Sequence, residues 1–464
     1  MTVARSLAQA TPALDFEVPL ESGDPRYVDF GPVRGGDSII HLRKLLERPS
    51  PGRWLHAVFA SHRGAGKSTE LKKLAKDIES QYFSIYFEAN VEMDATKFSM
   101  EDLLLVVARV VEEEMRKRET PIASRELKKI EDWFSEVVFE SAEGKKYLAG
   151  VKTEARAEGG IPFFAKLIGS VTSAFKVEST HRESMKNTLR KFPGTLMTFV
   201  NNLLDAASHE LQKDGLKLLL LIDNMDRYDP KVIDELLVQS ADRFKALKCH
   251  LIVTPPIGLV LKPESDSIEG VFRCETMPTV KLREPTQGYW EYAGEGRNVL
   301  LQALGKRIDL DKLIPDVAAR DRLVLASGGA IRELLELAQD ATLDANGEVI
   351  TLADVEQTLL RRRSRLRDRI DANGWWDVLA EISRTKRLGK DAAYLEVVFQ
   401  RLAFKYNGHV WYDVHPLIGD LLQEHGSELK QAAKKPAPKK KAVKKKAASR
   451  KKATGAAVKK AQDS

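Results

Sequence analysis

Cysteine is almost absent: Cys249 and Cys274 are the only two in 464 residues. One distant pair cannot build a disulfide framework, and a reducing compartment suits such a chain. The nine histidines include no His-x-x-Glu-His spacing, and there is no Cys-x-x-Cys, so a zinc site has no support. No Gly-x-Ser-x-Gly elbow is present, which leaves nucleophilic hydrolase chemistry without a foothold. Long apolar runs are missing too. The nearest, Ile161 to Gly169, falls far short of the roughly 18 residues of a membrane span and reads as a buried or partner-facing helix. Residues 1–20 lack the basic start and long apolar centre of a secretory signal. These absences point to a cytoplasmic protein with no membrane segment.

A net positive charge is also missing until the end of the chain. From Lys430 to Ser464 there are fourteen Lys or Arg against one acid, Asp463. Removing that +13 from the chain's +7 leaves −6 on residues 1–429. The tail uses Lys, Ala and Pro, with Val443 and Val458 its only large apolar side chains. It has too little to bury and is expected to be disordered. Such a segment binds polyanions by counterion release without reading sequence, which points to DNA as a partner and to nucleoid association.

What the chain does have is Ser61-His62-Arg63-Gly64-Ala65-Gly66-Lys67-Ser68-Thr69. An apolar run from Trp54 to Ala60 precedes it and reads as a buried strand. Glu70 to Lys76 follows, with leucines three apart on a helix face. Strand, glycine loop, helix is the setting in which a P-loop cradles phosphates with backbone N–H groups. Arg63 to Thr69 would bind the nucleotide, with Lys67 reaching the β- and γ-phosphates and the Ser68 hydroxyl on Mg²⁺. The first position is Ser61 where the pattern usually has Gly. The motif predicts binding of ATP or GTP.

A second acidic motif follows the apolar run Leu216 to Ile222, which suits a central parallel strand. It closes with Asp223-Asn224-Met225-Asp226-Arg227. Asp223, at the carboxyl end of that strand, is the expected Mg²⁺ ligand, direct or through water. His250 to Pro256 reads as another short buried strand. Ala326 to Leu335 reads as a turn into an amphipathic helix carrying Arg332.

These motifs, with Val33-Arg34-Gly35-Gly36 ahead of the P-loop, resemble the AAA+ superfamily over about residues 25–340, and within it the origin-recognition and STAND-like branch. The resemblance implies an ATP-binding α/β P-loop fold with a parallel sheet. It casts Thr254 as the sensor-1 polar residue, Arg332 as the sensor-2 arginine, and Arg34 and Gly35 as neighbours of the adenine pocket. Relatives often have a glutamate where this chain has Asn224, which cannot accept a proton. Asp226 is then the expected base, as in some STAND-type relatives. A displaced base implies slow turnover, since positioned bases contribute about 10²–10⁴ in rate. Relatives also complete their sites with an arginine from the next subunit, which implies a nucleotide-dependent homo-oligomer. Arg243 is the first candidate for that role and Arg227 the second.

The expected organisation is an N-terminal extension (1–24), a P-loop core (25–270) with a helical insertion at about 100–210, a helical lid (271–350), a winged-helix-like domain (351–428) and the basic tail (429–464). The insertion is inferred because a bare β-α-β step needs only about 30 residues. Its apolar stretch, Pro162 to Phe175, is a candidate surface for a protein partner. The C-terminal domain is read from a capped helix at Thr351 bearing Arg361, Arg362, Arg363, Arg365, Arg367 and Arg369, two further helices, and a hairpin from Phe404 to Tyr412 around Asn407-Gly408. DNA contact and protein docking both fit such a domain. Two functions therefore stand side by side: a slowly hydrolysing ATP switch associated with DNA, and a signalling or defence ATPase that acts on a protein while its tail holds it to nucleic acid.

Overall fold

The computed structural model describes residues 3–434 apart from residues 37, 51, 95, 158–161, 177–179, 263–265, 293 and 407–409. The tail from residue 435 and the Asn407-Gly408 turn lie outside the described residues. The described residues up to 422 form one compact unit. Among the described residues no helix is long and apolar enough to cross a membrane.

Five parallel strands make the central sheet: β1 (His56–Ser61), β2 (Tyr82–Glu88), β3 (Lys217–Asp223), β4 (His250–Val253) and β5 (Arg273–Met277), in the order β2-β3-β4-β1-β5. Side chains alternate across a strand, so the two faces of this sheet bury different sets. Phe59, Leu219, Leu221 and Ile252 pack beneath the P-loop helix (Lys67–Asp77) with its Leu71 and Leu74. Val58, Leu218, Leu220, Ile222, Leu251 and Val253 face the other way, into the larger core. Helices on both sides explain why β1 and β3 are buried along nearly their whole length.

The helical insertion lies between β2 and β3. It opens with Met100–Lys117, whose Ser99 and Asp102 form a capping box, and closes with Pro193–Gln212. Inside it, the helix Phe163–Lys176 buries Phe164, Leu167, Ile168 and Val171 completely. The stretch read as a partner surface is thus core, because neighbouring helices of the insertion already cover its apolar stripe. A buried ion pair, Lys186 to Asp102 at 2.7 Å, ties the insertion's later helices to its first.

The lid runs through Gly296–Gly305, Val317–Ala326 and Ile331–Asp344. Beyond it come the helices Leu352–Asn373, Trp376–Thr385 and Ala392–Phe399, then an antiparallel ribbon of β6 (Ala403–Tyr406) and β7 (Trp411–Val414). The ribbon is turned inward. Phe404, Tyr406 and Trp411 are buried, Tyr406 stacks on Trp411, and the Lys405 carbonyl accepts from Thr279 N–H at 3.1 Å. Asp413 is fully buried between Arg283 and Lys386. Among the described residues, the aromatic side chains Phe404, Tyr406 and Trp411 of the ribbon are packed inside the protein. The arginines of the Leu352–Asn373 helix are partly spent inside the chain: Arg361 on Asp344, and Arg362 on Glu333 and Glu336.

At the turn between two lid helices, Gly329 has φ +87, and a Cβ there would lie 1.9 Å from the Val280 carbonyl oxygen. Only glycine fits, for lack of space as much as for backbone angle. Gly329→Ala is expected to cost about 2 kcal/mol or more in urea unfolding. Gly347→Ala, where nothing lies within 4 Å, is expected to stay within about 0.5 kcal/mol.

Candidate nucleotide site

A cleft opens at the carboxyl ends of the strands. Its floor is the P-loop, Arg63 to Glu70, entered from β1 and leading into the helix Lys67–Asp77. Gly64 (φ +82) and Gly66 (φ +99) take conformations that favour glycine. Gly64 has a second reason: a Cβ would meet the Arg332 Cβ at 2.4 Å, and the Arg332 N–H donates to the Gly64 carbonyl at 3.1 Å. The lid helix is laid directly on the loop.

Lys67 is buried, and its amine pairs with Asp226 at 2.6 Å and reaches the Ser61 carbonyl at 3.3 Å. Asp226 stands in the short turn Met225–Arg227 just after β3. Arg63, Arg227 and Arg332 line the same cleft. Burial holds the Arg332 guanidinium below its ordinary range, with Arg227 and Arg401 adding to the effect against Glu336 and Asp226. Arg63 is lowered by burial too, with Arg401 and Arg227 adding and Asp226 opposing. Cationic groups crowd one end of the cleft, a setting that favours an anionic ligand.

Asp223 is fully buried. Its carboxylate accepts from the Tyr86 hydroxyl, the Thr254 hydroxyl and the Asn224 N–H, each at 2.7 Å. Burial alone would raise its pKa. Hydrogen bonds from Ser68, Thr254 and Tyr86, with the field of Lys67, outweigh burial and hold it below the ordinary value. A Mg²⁺ fits this donor set: a hydroxyl and an ionised carboxylate stand together, and the carboxylate's other bonds suit an ion that keeps most of its waters. Asn224, in a left-handed conformation, donates its amide to Glu88 at the end of β2 at 2.7 Å.

Other expected residues sit elsewhere. Arg34 does not line the cleft; it is buried beneath the loop, donating to the Ala65 carbonyl and the Met277 sulfur. Gly35 ends its short helix at φ +68. Arg34 thus supports the loop from below, its guanidinium held by Ala65 and Met277. Thr254 acts through Asp223 and does not face the cleft. Arg243 is outside the cleft, paired with Glu101 at 2.8 Å. Arg227 lines this chain's own cleft. Thr69 accepts the Leu20 N–H at 3.1 Å.

That last contact introduces a wall the sequence did not signal. Residues 15–20 line the cleft opposite the lid, and their backbone path carries no motif. Ala4 forms a bridge with Ile308, and the Thr11 carbonyl accepts from Gln339. His62 of the loop has a definite partner: its Nε2 accepts from the Lys405 N–H at 2.8 Å, and its ring meets Phe404 edge-on at 5.3 Å. The C-terminal ribbon therefore rests on the P-loop.

A five-stranded parallel sheet with a glycine loop from β1 into a helix, and a buried acid at the end of β3, defines a P-loop α/β protein. No family model matches the chain, and no curated protein matches it. Among solved structures it is similar to the Walker-type ATPase PABY2304 of Pyrococcus abyssi, at 12% identity over 89% of this chain and 99% of that one, with TM-score 0.44. It is similar to Cdc6p from Pyrobaculum aerophilum at 11% identity, covering 84% and 93%, TM-score 0.34. The Aeropyrum pernix ORC1 protein, solved in complex with DNA, matches at 11% identity, 85% and 93%, TM-score 0.36.

His62 ties pH to this site. Burial first, then the fields of Lys67 and Lys405, push it from 6.5 down to about 3. Below pH 6.5 the unfolded chain takes up a proton that the folded chain refuses, so this residue's contribution to stability falls as pH drops towards 3. The slope approaches about 1.4 kcal/mol per pH unit. His62→Gln keeps an acceptor and removes the titration. Urea unfolding at pH 7 and pH 5 is expected to show a smaller acid loss in the variant than in wild type.

Proposed function

We propose that the chain is an ATP-binding switch with slow turnover, associated with DNA through its basic tail. The observation that carries this reading is the buried Lys67–Asp226 pair in a cleft edged by Arg63, Arg227 and Arg332. A polyphosphate entering the P-loop offers Lys67 a better counterion than one carboxylate. Lys67 then turns to the phosphates, and Asp226 is released beside the γ-phosphate position, where it orients water as the base. Ser68 and Asp223 hold Mg²⁺, and Thr254 keeps Asp223 aimed. Arg332 contacts the γ-phosphate and ties it to the lid. Turnover is slow because the base first has to give up its lysine, and because Asn224 takes no proton.

Residues 271–350 act as the lid, 351–428 as a winged-helix-like module, and 429–464 as the DNA-binding tail. Assembly of several copies on nucleotide completes the switch. One observation favours the alternative of a signalling ATPase with a protein target: the ribbon of the C-terminal module is packed on His62, where it answers to the nucleotide and is withdrawn from a groove. In that version the tail only localises the protein.

Lys67→Ala is expected to weaken ATP binding at least about tenfold, read by calorimetry, with the fold retained. Asp226→Asn is expected to bind ATP more tightly than wild type, since Lys67 no longer has to be taken from a carboxylate, and to lose hydrolysis in a phosphate-release assay. Undiminished hydrolysis in that variant removes Asp226 as the base.

Deleting residues 430–464 is expected to weaken binding to every duplex alike and to leave ATP binding unchanged. In wild type, log affinity falls with log salt at about −0.9 per phosphate contacted, and the truncated chain shows a flatter line. An unchanged slope moves DNA binding off the tail and favours the protein-partner reading.

A further inference from the structure

One charged group that lines the cleft is only partly satisfied among the described residues. Arg307 lines the cleft and is only 6% exposed. Its Nη1 donates to the Ala303 carbonyl at 2.8 Å and the Arg26 carbonyl at 3.4 Å, and its Nε is buried with no hydrogen-bond partner. The carboxylate whose field reaches it, Asp24, is already gripped by Arg26 through two bonds of 3.0 and 2.7 Å. Burial, with the like charge of Arg26, pushes the Arg307 guanidinium down to about 10. A buried cation without a paired carboxylate is costly, and this one is held in place: its backbone carbonyl accepts from Ala4 N–H at 2.9 Å.

Apolar side chains line part of the same cleft. Val28, Phe30, Ala303 and Leu335 are among its lining residues and are buried. An apolar slot with one convergent polar group is the usual form of a pocket for a flat ring. The hydrogen bonds of Arg307 go to Ala303 and Arg26, and none goes to the P-loop. The P-loop takes the phosphates, so Arg307, in the lining of the same cleft, is left for another part of that ligand.

We infer that Arg307 reads the base of the nucleotide, donating to a bare ring nitrogen of a purine seated between the N-terminal segment and the lid. A guanidinium carries donors and no acceptor, so it selects an edge with an unprotonated nitrogen. This rests on the nucleotide-binding reading above and adds the residue that recognises the base.

Calorimetry on the full chain tests it with ATP, inorganic tripolyphosphate and the 1-deaza, 3-deaza and 7-deaza analogues of ATP. Wild type is expected to bind one of the three analogues about tenfold or more weakly than ATP, the loss of one charged hydrogen bond. Arg307→Met is expected to bind ATP as weakly as wild type binds that analogue, to treat the two alike, and to bind tripolyphosphate as wild type does. Arg307→Lys, which keeps the charge and loses the planar fork, recovers part of the affinity. Equal losses for ATP and tripolyphosphate in Arg307→Met make the residue structural and overturn the inference. So does a wild type that binds all three analogues like ATP, a measurement that needs no variant to fold. A wild type that binds neither ATP nor tripolyphosphate overturns the nucleotide reading itself, and the inference with it.

Discussion

A lysine amine shut away from water has to meet a negative charge, and at Lys67 that charge comes from Asp226, 159 residues further along the chain. Much else around the cleft answers to this requirement. The turn after β3 must deliver Asp226 to the loop, so β3 must lie inside the sheet, one strand away from β1 and parallel to it. The P-loop must stay in the one shape that points the amine inward, which Gly64 and Gly66 permit and Arg332 and Arg34 enforce from above and below. Removing a partner from such a buried pair typically costs about 3–5 kcal/mol. The free protein is thus held ready by an interaction that a polyphosphate has to replace.

The C-terminal module changes meaning once its orientation is known. A helix-rich module ending in an aromatic ribbon reads in sequence as something to be offered to a groove or a partner. In the fold its aromatic residues are packed away, and its backbone N–H at Lys405 is bonded to the P-loop histidine. Arg401, left-handed at φ +61, reaches back towards Glu333 and Glu336 on the lid helix. Loop, lid and ribbon share contacts, so a shift in one is felt in the other two.

Local pattern carried much of the fold. The P-loop and the β3 acid were legible because glycines at a strand-to-helix turn and an unbroken run of leucines are short-range signals. β5 escaped because Arg273 to Met277 is a half-buried edge strand with polar residues and no long apolar run. The insertion's apolar stretch was legible as apolar but not as covered, since burial depends on helices far away in sequence. The contacts of Arg34 with a carbonyl and a sulfur under the loop left no trace in the sequence, since Ala65 and Met277 lie far from it along the chain. Asp226 was legible as an acid near the site. Its lysine was not, because pairing across 159 residues leaves no periodic trace. The wall formed by residues 15–20 had no signal at all: its role comes entirely from what it lies against.

That wall has a consequence for how the protein comes into being. Thr11 meets Thr342 across 331 positions of sequence, and Ala4 pairs with the strand-like residue Ile308. A ribosome releases the first of these segments long before the second exists. The P-loop can be fully made while the cleft still lacks the late residues that line it, Arg332 and Leu335 among them. Contacts of such span are slow to form, which makes closure of this cleft a late event and links ligand affinity to completion of the whole compact unit.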